Sequence, residues 1–115
     1  MVNITRDRRD YPAYALAHIQ NLARREQITY RSWRLEQDIV NLGYSQGEVC
    51  RCIASLKEAH FQHSERPTTG LKRWQDVYHC HWCPPSVDIP DQLYVKLMVS
   101  DSMITLVLCS FHRHR

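Results

Sequence analysis

The stretch Trp74-Gln75-Asp76-Val77-Tyr78 divides this sequence into two halves with different hydrophobic patterns. Before it, apolar residues recur every three or four positions, which is typical of amphipathic helices. After it, apolar and polar residues alternate, as they do in half-buried β-strands. A polar, turn-rich run from Pro67 to Gly70 comes just before the stretch. This order predicts an α+β fold, with N-terminal helices packed on a C-terminal antiparallel β-sheet.

Local signals predict three helices in the first half of the chain. Pro12 suits the first turn of a helix, which we expect to end near residue 25. Ser32 begins a second helix, and Gly43 ends it because glycine readily adopts the left-handed conformation of a C-terminal cap. Ser45 and Glu48 have the spacing of a capping box and begin the third helix.

Three strands are predicted in the second half, at about residues 76–82, 92–99 and 103–111. In the first half, the short run from Gln27 to Tyr30 also favours β structure. In the middle strand, the side chains of Tyr94 and Lys96 face away from the apolar residues between and beside them. The prolines at 84, 85 and 90 predict a loop before this strand, because proline cannot continue a ladder of hydrogen bonds. A hairpin turn is expected at Ser100-Asp101-Ser102.

The length of 115 residues fits a single domain. We expect residues 11–115 to form this domain and residues 1–10, which are polar and charged, to be a flexible N-terminal arm. The longest apolar run, Met103 to Cys109, is too short to span a membrane, and no signal-peptide pattern is found. We therefore expect a cytoplasmic protein with no membrane partner. The net charge of +3 is compatible with a nucleic-acid partner but does not require one.

One stretch resembles a metal site. His79-Cys80-His81-Trp82-Cys83 contains a C-x-x-C spacing and two histidines, but a structural zinc ion needs a second pair of ligands. In a strand, His79 and His81 would also face away from Cys80. The five cysteines are an odd number without a secretory signal, which predicts reduced thiols. We therefore expect no cofactor. The alternative is a zinc-stabilised interaction protein that uses Cys80 and Cys83.

The sequence lacks a G-x-S-x-G elbow and the glycine-rich loops of nucleotide-binding proteins. The polar groups on and near the predicted sheet are His63, Gln75, Tyr78, Tyr94 and Lys96. They suit metal-free RNA cleavage, in which a base removes the ribose 2′-OH proton and a cation stabilises the charge that develops on phosphate. His63 is the candidate base, Lys96 the cation, and Tyr94 or Gln75 a positioning group. The same residue types are common on solvated sheet faces, so the pattern alone leaves both interpretations open.

Four blocks of the sequence resemble the MqsR family of toxins, the mRNA-cleaving partners of type II toxin–antitoxin pairs. The most distinctive block is Trp74 to Tyr78, and the others are Leu42-Gly43 with the apolar residues that follow it, Gln92 to Lys96, and Ser110-Phe111. The resemblance implies an α+β fold similar to the RelE-type ribonucleases. It also implies ribosome-independent, metal-free cleavage of single-stranded mRNA at GC-containing triplets, with inhibition of translation and growth, and a cognate antitoxin protein as partner.

The resemblance further implies which residues act on RNA. The family's active-site glutamine falls on Gln75, its tyrosine falls on Tyr94, and its lysine falls on His63. Histidine can act as a general base near neutral pH, but a neutral imidazole supplies no fixed cation. We expect catalysis from His63, Gln75 and Tyr94, and RNA contacts from Lys96, Tyr78 and Arg73.

The histidine at position 63 leaves a second function open, namely an RNA-binding or protein-binding module on the same fold with weakened or no catalysis. Two other residues of the central stretch are expected to be structural. Trp74 is predicted to anchor the core, and Asp76 to hold the start of the strand. The basic tail from His112 to Arg115 is expected to be a solvated end.

Overall fold

Three α-helices cover one face of a six-stranded sheet in the computed structural model, which describes residues 6–68, 73–83 and 88–114. The elements in chain order are β1 (Arg6–Arg9), α1 (Leu16–Arg24), β2 (Ile28–Tyr30), α2 (Trp33–Leu42), α3 (Gln46–Ala54), β3 (Phe61–Pro67), β4 (Gln75–Trp82), β5 (Asp91–Val99) and β6 (Leu106–Arg113). The strand order is β1-β3-β4-β5-β6-β2. Among these described strands, the β2–β6 pair is parallel and the other pairs are antiparallel. The predicted α+β fold is confirmed.

The second and third helices begin where their sequence signals predict. The Leu35 N–H donates to the Ser32 hydroxyl over 3.2 Å at the start of α2, and Gly43 ends this helix with φ of 84°. Ser45 and Glu48 form both hydrogen bonds of the capping box of α3. Both signals involve residues close in sequence, so these caps do not depend on contacts with distant parts of the chain.

The first helix begins at Leu16, later than the expected start near Pro12. The backbone N–H groups of Ala13 and Tyr14 donate to the Asp76 carboxylate, at distances of 2.9 to 3.1 Å. Because these donors are already satisfied by a distant strand, the chain stays non-helical until Ala15, whose ψ is 127°. The expected structural role of Asp76 therefore extends to holding the segment before α1.

Strands β1 and β3 were not predicted from the sequence, whereas β2 lies in the run from Gln27 to Tyr30 that favours β structure. Arg6–Arg9, within the expected arm, form β1 and pair with β3, while residues 1–5 lie outside the described part of the chain. Strand β3 consists of Phe61–Pro67, a segment for which neither a helix nor a strand was predicted. The predicted turn at 67–70 and the proline loop at 83–90 lie partly outside the described residues.

The last hairpin has a wider connection than expected. Its strand begins at Leu106 instead of Met103, because Ser100 and Thr105 close a turn in which the Ser100 N–H donates to the Thr105 carbonyl over 2.8 Å. Met103 lies in the left-handed region with φ of 65° inside this turn.

The core lies between the helices and one face of the sheet. Alternating strand residues such as Val95, Leu97, Leu108 and Phe111 meet the buried faces of the three helices. Among the described residues, no helix covers the opposite side of the sheet, which we call the open face. By strand alternation and register, its side chains include Arg6, Arg8, His63, Glu65, Gln75, Val77, His79, His81, Gln92, Tyr94, Lys96, Met98, Val107, Ser110, His112 and His114. Within the described part of the chain, no helix has the length and apolar character needed to cross a membrane.

Candidate functional site

The sheet register brings together residues that are far apart in sequence. Val77 at the centre of β4 pairs with His63 on one side and with Lys96 on the other. Residues that pair across neighbouring strands share a face, and strands lie about 4.8 Å apart. His63 and Lys96 therefore flank Val77 on the open face. Tyr94, which pairs with His79, lies two residues before Lys96 on β5 and faces the same side.

His63 is held by Glu65, its neighbour two residues along β3. The imidazole Nε2 lies 3.1 Å from Oε1 of Glu65, and the other carboxylate oxygen lies 3.1 Å from Nη1 of Arg6. Burial would raise the pKa of Glu65, but the hydrogen bond to His63 and the cations Lys96 and Arg6 lower it below its usual value. An ionised carboxylate only accepts hydrogen bonds, so Nε2 carries a proton and Nδ1 is the free nitrogen of the neutral imidazole.

Lys96 and Tyr94 are half-buried on the same face, one on either side of the Val95 backbone. Burial lowers the pKa of Lys96, although the Glu65 carboxylate opposes this change. Burial raises the pKa of Tyr94, and Glu65 adds to the rise, so the phenol keeps its proton at neutral pH. The face thus offers a lysine ammonium and a phenolic hydrogen-bond donor beside the His63–Glu65 pair.

Gln75 lies beside Glu65 at the start of β4 and is only 4% exposed. Its Oε1 is buried and has no hydrogen-bond donor among the described residues. A buried amide oxygen without a partner is unfavourable by about 1–3 kcal/mol, so it calls for a specific explanation.

Tyr78 does not join the other predicted residues. It lies three positions after Gln75, so strand alternation turns its side chain to the helix side, where it is buried against Phe61 with ring centroids 5.6 Å apart. There it lines a groove of about 540 Å³ together with residues of α1. The expected contact of Tyr78 with RNA on the open face is therefore not supported.

Arg73 is also engaged elsewhere. Its guanidinium donates to the Val99 carbonyl at the end of β5 and lies 3.5 Å from the Asp101 carboxylate. These contacts tie the residue before the central stretch to the β5–β6 turn.

Trp74 differs from its predicted role as a core anchor. It is half-buried and lies outside the main hydrophobic cluster, with the guanidinium of Arg9 4.0 Å and that of Arg66 4.5 Å from its ring centre. The indole thus joins β1 and β3 by cation–π contacts.

Several residues of the open face were missed by the sequence analysis. His112 stacks on Tyr94 with ring centroids 4.8 Å apart and 9° between planes, and His114 lies 4.0 Å from His79. The tail is exposed as expected, but its first two residues form the end of β6. The alternation of Ser110, His112 and His114 in the sequence could have predicted that the strand continues into the tail. Which side chains they contact depends on the register between β5 and β6.

The zinc alternative finds no matching geometry in the described residues. Cys80 faces the helix side, where its Sγ lies 3.8 Å from Sγ of Cys52, while His79 and His81 face the other way. No group of three or more His, Cys, Asp or Glu side chains in the described ranges is placed to hold a metal ion.

Comparison with known proteins identifies the family. A family model described as "Motility quorum-sensing regulator, toxin of MqsA" matches residues 11–113. A search of individual curated proteins finds no match. The matched range includes β3 to β6 and thus most of the open face. The chain therefore belongs to the MqsR family, the toxins of toxin–antitoxin systems.

Proposed function

We propose that the open face is the active site of a ribosome-independent endoribonuclease that cleaves single-stranded mRNA without a metal ion. The observation that carries the proposal is the His63–Glu65 pair, with 3.1 Å between Nε2 and Oε1, on the same face as Lys96 and Tyr94. A base oriented by a carboxylate next to a cation supplies two things that this reaction needs, namely removal of the 2′-OH proton and stabilisation of the charge that develops on phosphate.

Each residue has a role that follows from its surroundings. Nδ1 of His63 takes the 2′-OH proton, and the 2′-oxygen attacks the adjacent phosphorus. Glu65 keeps the imidazole in the required tautomer and stabilises the imidazolium that forms, as the carboxylate does in a catalytic triad. Lys96 stabilises the extra negative charge on the phosphate oxygens. The P–O5′ bond then breaks, leaving a 2′,3′-cyclic phosphate, and Tyr94 gives its proton to the departing 5′-oxygen.

Gln75 is assigned to substrate positioning. Its Oε1, which is buried and has no donor among the described residues, is available to accept a hydrogen bond from the ribose hydroxyl or from a base amino group. A bound nucleotide would satisfy this oxygen, which accounts for a feature that is unfavourable in the free protein.

Membership of the MqsR family supports a proposal for the biological effect. A toxin of this family has an antitoxin as partner, and cleavage of mRNA would inhibit translation and growth until the cognate antitoxin binds. We propose that the protein acts in the cytoplasm, where its mRNA substrate is found.

A catalytically weakened RNA-binding or antitoxin-binding module is the second candidate. The observation in its favour is that Glu65 is shared between His63 and Arg6, so that both side chains are paired internally and are less available to phosphate. This candidate predicts RNA binding without cleavage.

The test is a cleavage assay with purified protein and a defined single-stranded transcript in EDTA, without ribosomes. We expect cleavage by the wild type and its loss in the triple variant His63→Ala, Gln75→Ala, Tyr94→Ala. His18→Gln is the matched control, because His18 lies on α1 and contacts the Met103 carbonyl over 2.8 Å instead of the open face. Full activity in the triple variant would contradict the site, and binding without any cleavage by the wild type would favour the second candidate.

A further inference from the structure

A hollow on the open face is lined mainly by histidines. We call this hollow, of about 260 Å³, the histidine trough. It is lined by His60, His79, His81, Gln92 and His114, together with Cys80 and Leu93. It lies at the end of β4 and β5 away from Gln75, and none of its histidines has a role in the cleavage steps above. Pockets for drug-sized ligands have volumes of about 300–1,000 Å³, so the trough fits a smaller flat group such as one nucleobase.

A stack of rings joins the trough to the proposed active site. His79 lies 4.0 Å from His114 and 5.4 Å from Tyr94, measured between ring centroids. Tyr94 in turn stacks on His112. The rings therefore form a continuous aromatic surface that begins in the trough and ends beside Lys96.

We propose that the histidine trough and its ring stack form a second nucleotide subsite, which holds an unpaired base next to the cleaved bond. The inference rests on the proposed function and deepens it by naming where a second nucleotide binds. Stacking on aromatic side chains is the common way in which proteins hold unpaired bases, and it tolerates different bases because each has a π-face. The Gln92 amide and the imidazole nitrogens add hydrogen-bond partners at the base edge.

The ring geometry favours a base over a metal ion. His79 and His114 are inclined by only 30°, and imidazoles that stack in this way direct their nitrogen lone pairs along nearly parallel planes. A metal ion needs lone pairs that converge on one point. Burial, followed by the neighbouring His114, lowers the pKa of His79, which favours the neutral ring that stacks best.

The site is tested with a single-stranded RNA oligonucleotide that carries 2′-O-methyl groups, so that it cannot be cleaved, and one 2-aminopurine as a fluorescent base. At pH 8, where imidazoles are mostly neutral, we expect the wild type to quench the 2-aminopurine on binding. The double variant His112→Ala, His114→Ala should bind about tenfold more weakly and lose the quenching, since stacking contributes roughly that factor or more per base. Both side chains are exposed, so the fold should be retained.

Two further variants separate stacking from other causes. His112→Phe keeps an aromatic ring and should retain the affinity, whereas His18→Gln on the helix side should change nothing. Equal affinity and quenching in the double variant and the wild type would overturn the subsite, as would quenching that appears only when Zn²⁺ is added. If the wild type fails to cleave an unmodified transcript but the double variant still loses quenching, the cleavage proposal fails and the base-binding subsite stands.

Discussion

Replacing Asp76 by alanine tests how the central stretch organises the N-terminal segment. The carboxylate is fully buried and accepts the backbone N–H groups of Ala13 and Tyr14 over 2.9 to 3.1 Å. Asp76→Ala would leave both donors without an acceptor, and each unsatisfied buried donor costs about 1–3 kcal/mol. We expect the free energy of unfolding to fall by about 2–6 kcal/mol, a large part of the 5–15 kcal/mol typical of a domain.

The assay is urea unfolding followed by circular dichroism, with hydrogen exchange at the Ala13 and Tyr14 amides as a local readout. Asp76→Asn keeps one acceptor oxygen and should lose only about 1 kcal/mol. Burial raises the pKa of Asp76 in the folded protein, although its hydrogen bonds oppose this change. The folded state therefore binds the proton more tightly than the unfolded state, and this group's contribution to stability decreases as pH rises through the raised pKa.

The matched control is Asp101→Ala. This carboxylate is 93% exposed and lies 3.5 Å from Arg73, and an exposed ion pair of this kind contributes at most about 1 kcal/mol. If Asp76→Ala destabilises the protein no more than Asp101→Ala, and the two amides exchange at wild-type rates, the anchoring role of Asp76 is refuted.

Three further variants probe the site and the fold. Because the pKa of Glu65 is lowered, its ionised form stabilises the fold at neutral pH, and this stability is lost as pH falls through the lowered pKa. Glu65→Gln should therefore flatten the acid side of a plot of urea midpoint against pH. An unchanged slope would contradict this expectation. Lys96→Met removes a charge that burial disfavours, and should stabilise the protein by about 1 kcal/mol while lowering RNA cleavage; unchanged cleavage would exclude Lys96 from catalysis. Gly43→Ala should lower the free energy of unfolding in urea by about 1–2 kcal/mol. The reason is the backbone φ of 84° at this helix end, since no atom crowds the added methyl group. A neutral effect would argue against the left-handed cap.

The sequence predicted those parts of the fold that depend on short-range chemistry. The caps of α2 and α3 involve groups three residues apart, and the alternation in β5 is visible in a single segment. Strands β1 and β3 were missed because their pairing joins residues nearly sixty positions apart. That pair is held in part by charges, with Arg66 Nε 3.0 Å from an Asp7 oxygen. Strands rich in charged residues lack the apolar alternation on which strand prediction relies.

The candidate site was predicted residue by residue but not as an arrangement. Alternation already implies that Tyr94 and Lys96 share a face, and by the same rule Tyr78, three positions from Gln75, faces the opposite side. The contact between Glu65 and His63 could not be predicted without knowing that β3 is a strand. In a strand, residues two positions apart face the same side. The contact of His112 with Tyr94 depends on the register between β5 and β6, which a bulge near Lys96 shifts by one residue.

The most direct test of the central claim is the chemical nature of the RNA ends formed in EDTA by the wild type and by His63→Ala. We expect the wild type to release fragments with a 2′,3′-cyclic phosphate and a 5′-hydroxyl, and His63→Ala to form them about 10²–10⁴-fold more slowly, as expected for loss of a general base. Undiminished cleavage by His63→Ala, or cleavage that stops in EDTA and returns with Mg²⁺, would contradict a metal-free active site centred on His63.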